Sequence, residues 1–259
     1  MVTTRNIIVN ANSVRTVLQN HEAVSEQSVQ AVTDDPVEQA TLVAGLNNAL
    51  MEITDHEESA DVLSSPPSQM ASLLQSFLAE KAVEEDKPSA RELPSGGIEA
   101  KFDSKDWLGW AESFFTWAGK LYPAKWLSPH DPEPLGENPR IALLADWGTG
   151  LYGAPPSGKC IQADGKFTHI IHLGDVYYSG TQKEIQSQFI PYWPSVNGAV
   201  NRACNSNHEM YSGGHGYFNL TLPTFAQMSS CFALENEHWL VIGLDTAYEE
   251  HSLTKEQLG

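Results

Sequence analysis

Two short apolar runs, each ended by an aspartate, constrain the fold of this chain more than any other feature. Phe167 to Leu173 reads as a buried strand that stops at Gly174-Asp175-Val176-Tyr177-Tyr178-Ser179-Gly180. Arg140 to Ala145 reads as a second strand, ending in Asp146-Trp147-Gly148. A strand that ends in aspartate delivers a carboxylate to the carboxyl edge of a sheet, where open α/β folds hold ligands. A third polar turn, Asn207-His208-Glu209, follows a short expected strand from Ala199 to Cys204. Three polar turns far apart in sequence can converge only if these strands share one sheet.

The spacing between the first two strands calls for a crossover and hence parallel pairing. Gly148 to Lys166 is expected to be a long Gly/Pro-rich loop, and Thr181 to Ile190 a helix. Ser230–Leu234 and Trp239–Leu244 flank Glu235-Asn236-Glu237 and read as an antiparallel hairpin, giving a mixed sheet overall. Thr254-Lys255-Glu256-Gln257 reads as a capping box opening a helix that Gly259 ends within one turn. One isolated turn does not sustain itself, so the sequence reads as truncated at its C-terminal side.

The first 100 residues follow a different grammar. Acidic groups outnumber basic ones there, and neither Trp nor Tyr occurs. Asp35-Pro36-Val37-Glu38 starts one helix, with Leu42, Leu46, Leu50 and Ile53 at helical spacing. Pro66-Pro67-Ser68 precedes a second, with Met70, Leu73, Leu74, Phe77 and Leu78 as one apolar stripe. The segments 57–68 and 84–97 read as linkers, so residues 1–100 are expected to be an acidic segment, partly helical and partly disordered. Residues 101–139 hold an aromatic helix from Ser104 (Trp107, Trp110, Phe114, Trp117, Leu121 on one face) and a Pro-rich connector. Residues 140–259 form the α/β domain.

The formal net charge of −18 disfavours nucleic-acid surfaces and anionic membranes, which bind by phosphate neutralisation. It also repels a phosphate substrate unless bound cations invert the local potential. Cys160, Cys204 and Cys231 are odd in number and widely spaced, and read as buried free thiols in a reducing compartment. With no secretory leader pattern at the N-terminus, a cytoplasmic location is expected. His169 and His172 alternate with apolar residues and read as structural. His215 lies in the Gly-rich stretch Gly213–Gly216, near enough to the third turn to touch a substrate. That stretch lacks the Lys-Ser/Thr of a phosphate loop.

Asp146, Asp175 and Asn207 are hard oxygen donors suited to Mg, Mn, Fe or Zn. Asp175 is placed to bridge two ions, and His208 to donate a proton to a leaving oxygen. Glu209 is placed to orient His208 or a loop amide.

These three blocks resemble, in order and spacing, the first three motif blocks of the calcineurin-like metallophosphoesterases. Trp239 to Thr246 also resembles that family's following strand. The resemblance covers about residues 140–259 and implies an α/β fold, a mixed β-sandwich flanked by helices. It further implies a phosphoester hydrolase whose two metal ions activate water for attack on phosphorus. Gly148 stands where many members carry a histidine ligand, and Tyr178 follows Asp175 by three residues. That combination is similar to the purple acid phosphatase branch and implies iron bound through Tyr178, with Fe, Mn or Zn as the second ion. Ser206 stands where the family has glycine, and the family's later histidine blocks do not occur before Gly259. The chain alone is therefore expected to bind metal weakly and to turn over little substrate. The competing expectation is a truncated or non-catalytic protein of this fold acting as a binding module.

Overall fold

The computed structural model describes residues 7–9, 36–55, 68–84, 91–92, 98–100, 123–147, 154–249 and 252–258. The chain divides into two compact units, Met1–Tyr122 and Pro123–Gly259.

In the first unit, α1 (Pro36–Asp55) opens on the proline expected at its first position. Helix α2 (Gln69–Glu84) begins where Pro66-Pro67-Ser68 predicts, with the Ser68 hydroxyl accepting from the amide of Ala71. Its apolar face is wider than a stripe: Ala71 through Phe77 are all buried, Ser72, Gln75 and Ser76 included. Three strands absent from the sequence expectation form a small sheet: β1 (Ile7–Val9), β2 (Arg91–Glu92) and β3 (Ile98–Ala100), in the order β1-β3-β2. β2 falls inside the stretch expected to be a linker. The expected aromatic helix from Ser104 lies outside the described residues.

The second unit is α/β. Strands β5 (Ile141–Leu144), β6 (His169–His172) and β7 (Val200–Ala203) form one all-parallel sheet with β6 in the centre. β4 (Glu133–Pro134), β8 (Phe232–Glu235) and β9 (Leu240–Gly243) form a second sheet, in which β8 and β9 pair antiparallel. The expected strands and hairpin are therefore present, but in two sheets rather than one mixed sheet. Asn236 makes the hairpin turn, its Oδ1 accepting from the amides of His238 and Trp239.

β6 is buried on both faces, which its apolar centre allows. Ile171 packs into a core with Leu135, Phe232 and Leu234 of the second sheet. His172, on the opposite face by the period-2 rule, meets Trp147, Phe189 and Trp193. Burial holds His172 at about 3, uncharged at any ordinary pH.

The stretch expected to be a loop before β6 contains α3 (Ala154–Asp164) in its described part, which puts Cys160 on an exposed face. Of the three free thiols, only Cys231 is fully buried. The expected helix at Thr181–Ile190 is present in three pieces. It runs as α4 (Gln182–Glu184), a π turn (Ile185–Phe189) and a 3₁₀ turn (Ile190–Tyr192), which stops near Pro191. After β7 come α5 (Asn207–Tyr211), a π turn (Tyr217–Thr221) and α6 (Leu222–Thr224). α7 (Lys255–Leu258) closes the described chain. The Thr254–Gln257 capping box does not form. The Gln257 side chain instead pairs with the backbone of Asp245, accepting from its N–H and donating to its carbonyl, while the Thr254 hydroxyl is buried without a partner. Tertiary pairing thus holds a turn that could not hold itself.

Candidate functional site

The site is built where β5, β6 and β7 end. Past the strands the chain keeps pairing, with the amide of Asp146 donating to the Gly174 carbonyl at 3.1 Å. Trp147 and Val176 form a parallel bridge, and the amide of Tyr177 donates to the Trp147 carbonyl at 3.2 Å. Trp147 and Val176 are both buried in the helical core, and the Trp147 indole N–H donates to the Gln188 carbonyl at 3.0 Å. Each aspartate thus precedes an anchored apolar residue, which fixes the two carboxylate-bearing turns side by side.

Both aspartates adopt left-handed backbone, φ 53° at Asp146 and φ 69° at Asp175. Aspartate tolerates this conformation better than most residues, yet it still costs on the order of 1 kcal/mol, and such residues cluster at functional sites. Gly174 has φ 104°, and a Cβ there would lie 2.7 Å from the Cβ of Ser206. No other residue type fits that close approach without displacing the third turn.

Two buried carboxylates hold the loop 174–181. Glu209 accepts from the amides of Asp175 (3.3 Å) and Val176 (3.2 Å) and from the Ser206 hydroxyl. Of its two expected roles it takes the loop-amide one. Burial raises its carboxyl to about 7, with the nearby Asp175 charge adding to the rise and the Ser206 and Val176 hydrogen bonds opposing it. Glu184 accepts from the amides of Tyr178 (2.8 Å), Ser179 (3.1 Å) and Thr181 (2.9 Å).

Ser206 sits without backbone strain, because its φ of −147° is extended backbone. Its hydroxyl caps α5 by accepting from the amide of His208 at 3.1 Å, and also accepts from the amide of Asp175 at 3.0 Å. Asn207 is exposed at the start of that helix, with its Nδ2 donating to the Tyr211 hydroxyl at 2.8 Å. His208 is buried, its Nδ1 lying 2.6 Å from the Tyr178 carbonyl. A carbonyl can only accept, so Nδ1 carries a proton.

Tyr178 is buried, with its backbone bonded to both Glu184 and His208. The phenol that reaches Asp146 belongs to its neighbour: the Tyr177 hydroxyl donates to Asp146 Oδ1 at 2.5 Å. The Tyr177 ring also meets that of His208 edge-on, centroids 4.6 Å apart. Burial, followed by the Asp146 hydrogen bond, pushes the Tyr177 phenol well above its ordinary range. His215 does not lie in an open Gly-rich turn. It opens the helical stretch 215–224, partly buried, with its Nδ1 3.3 Å from Asn219 Nδ2.

Asp175 Oδ1 is buried and has no hydrogen-bond partner among the described residues. Leaving such an oxygen unpaired costs about 1–3 kcal/mol or more for a charged group. Asp175 Oδ1 is one of thirteen buried side-chain polar atoms without a partner among the described residues, His169 Nε2, His172 Nε2 and Asn205 Oδ1 included. Among the described residues, no group of three or more His, Cys, Asp or Glu side chains could hold a metal ion. A cation here would rely on the two aspartates together with amide and phenol oxygens.

Comparison with family models, with curated proteins and with solved structures finds no match. The functional reading therefore rests on the residues themselves.

Sequence reasoning missed Tyr177, Glu184 and the capping role of Ser206. Two of these carried a signal. Thr181-x-x-Glu184 and Ser206-x-x-Glu209 both have the capping-box pattern, and in each the glutamate continues past the cap to bind loop amides.

Proposed function

We propose that the second unit is a metallophosphoesterase-type domain that hydrolyses phosphoesters. Asp146, Asp175, Tyr178 and Asn207 serve as metal donors and His208 as general acid. The buried Asp175 Oδ1, unpartnered among the described residues, carries this reading, because a cation supplies what no described donor does. Hard oxygen donors fit Fe, Mn or Zn, and the two ions would supply an activated water and charge neutralisation on a phosphoryl group. Neutralisation also answers the net charge of −18, which otherwise repels such a substrate.

The chain's own residues have separable duties. Asp175 lies at the centre and Asp146 on the adjacent turn. Asn207 has committed its Nδ2 to Tyr211, so its Oδ1 is the atom for a metal. His208, held through Nδ1–H, acts as general acid in its imidazolium form and passes the second proton, on Nε2, to a leaving oxygen. Glu184 and Glu209 fix the loop that carries the central donor.

The test is metal-dependent hydrolysis of p-nitrophenyl phosphate with Mn²⁺ or iron. Slow turnover above the metal-free background is expected, since few strong ligands are present. Asp175→Asn should remove it by at least about tenfold, with circular dichroism unchanged. Metal binding without any hydrolysis would favour the second reading, a non-catalytic binding module. Neither binding nor hydrolysis would sink both.

A further inference from the structure

We propose that Tyr177 is a positioning residue of this site, holding the Asp146 carboxylate in the orientation that receives a cation. The inference rests on the metal-centre reading above and concerns a residue that the spacing of the motif does not single out.

Asp146 is exposed at the end of β5, where a free carboxylate would rotate among rotamers. Among the described residues, the Tyr177 hydroxyl is the only group that hydrogen-bonds its side chain, at 2.5 Å to Oδ1. That bond fixes the carboxylate plane and leaves Oδ2 uncommitted. The phenol is itself fixed from two sides. Its backbone amide is bonded to Trp147, the residue after Asp146, so the two turns cannot slide past one another. Its ring stands edge-on against His208, at 89° between planes. Tyr177 thus touches a proposed ligand with its hydroxyl and the proposed proton donor with its ring. A phenol donating to a carboxylate keeps the carboxylate an acceptor, which is the state a cation needs. Hydrogen bonds of this kind to ligating carboxylates are worth about 10–100-fold in metal affinity.

The experiment measures Mn²⁺ affinity of the full chain by electron paramagnetic resonance of the free ion. It compares wild type, Tyr177→Phe, and a variant with 4-aminophenylalanine at position 177, which keeps an N–H donor at the para position. Tyr177→Phe should weaken Mn²⁺ binding about 10–100-fold. The amino variant should recover most of the loss, and near-ultraviolet circular dichroism should be unchanged in both. Unaltered affinity in Tyr177→Phe overturns the proposal. So does an equal loss in both variants, or a variant that fails to fold, since either marks a packing role. Wild type that binds no Mn²⁺ overturns the metal centre as well, whereas wild-type binding with no effect of Tyr177→Phe overturns this inference alone.

Discussion

Two buried ionisable side chains set opposite pH slopes on the stability of the second unit. Glu209 is raised from 4.5 to about 7, so between those values the folded chain binds more protons than the unfolded one. Its contribution is therefore full below 4.5 and is lost as pH rises through 7. His172 is lowered from 6.5 to about 3, so the folded chain binds fewer protons in that interval and stability falls as pH drops below 6.5. Each shift corresponds to a few kcal/mol. Metal-free protein should be most resistant to urea between the two flanks, from about pH 4.5 to 6.5. Glu209→Gln should flatten the alkaline flank and His172→Phe the acidic one; urea midpoints across pH check both. At this scale the sequence offered Asp146, Asp175, Asn207 and His208 as candidates, because donor atoms are written in residue type. Between the two phenols the family resemblance pointed to Tyr178, whereas the one that reaches Asp146 is that of Tyr177. Which of two adjacent phenols reaches Asp146 depends on the backbone path of the loop, and no spacing rule encodes that.

At the scale of elements, the loop between β6 and α4 is defined by acceptors rather than by side-chain packing. Glu184 takes three amides and also completes the cap of α4 with Thr181. Removing it leaves buried N–H groups unpaired, each costing about 1–3 kcal/mol. Glu184→Ala should therefore destabilise the chain by at least about 2 kcal/mol, well beyond the roughly 1 kcal/mol expected for Thr181→Ala, which loses a cap alone. Urea unfolding of the two variants measures the difference, and equal losses would show that the amide clamp adds nothing. The starts of α1 and α2 and the strands β5 to β9 were readable because proline, capping residues and apolar runs act locally. Helix α3 was not, because Pro155, Pro156 and Gly158 read as loop residues. The prolines lie in its first turn, where a missing N–H costs nothing. Gly158 packs so closely that a Cβ would meet the Tyr192 carbonyl oxygen at 2.7 Å.

At the scale of the whole molecule, the contacts described for the proposed site join residues of Pro123–Gly259, a unit with its own core. A chain beginning at Pro123 should fold with unchanged near-ultraviolet circular dichroism and bind Mn²⁺ as the full chain does. A large loss of affinity on removing residues 1–122 would show that the first unit shapes the site. The remaining ties within this unit are long-range. Arg202 on β7 pairs with Glu133 on β4, and Asn205 Nδ2 donates to both oxygens of the buried Asp245 beyond β9, at 3.2 and 3.1 Å. These link the second sheet to the strand and turn that carry Asn207. By itself the sequence determined the α/β character of the second unit, the parallel order implied by its crossovers, and the oxygen-rich chemistry of three strand-ending turns. Those follow from local periodicity and residue type. Tertiary structure alone decided that the hairpin joins a separate sheet, that Glu184 and Glu209 fasten the central loop, and that Tyr177 meets Asp146. Each of these depends on where buried amides find acceptors once the chain is closed, a condition set by neighbours tens of residues away.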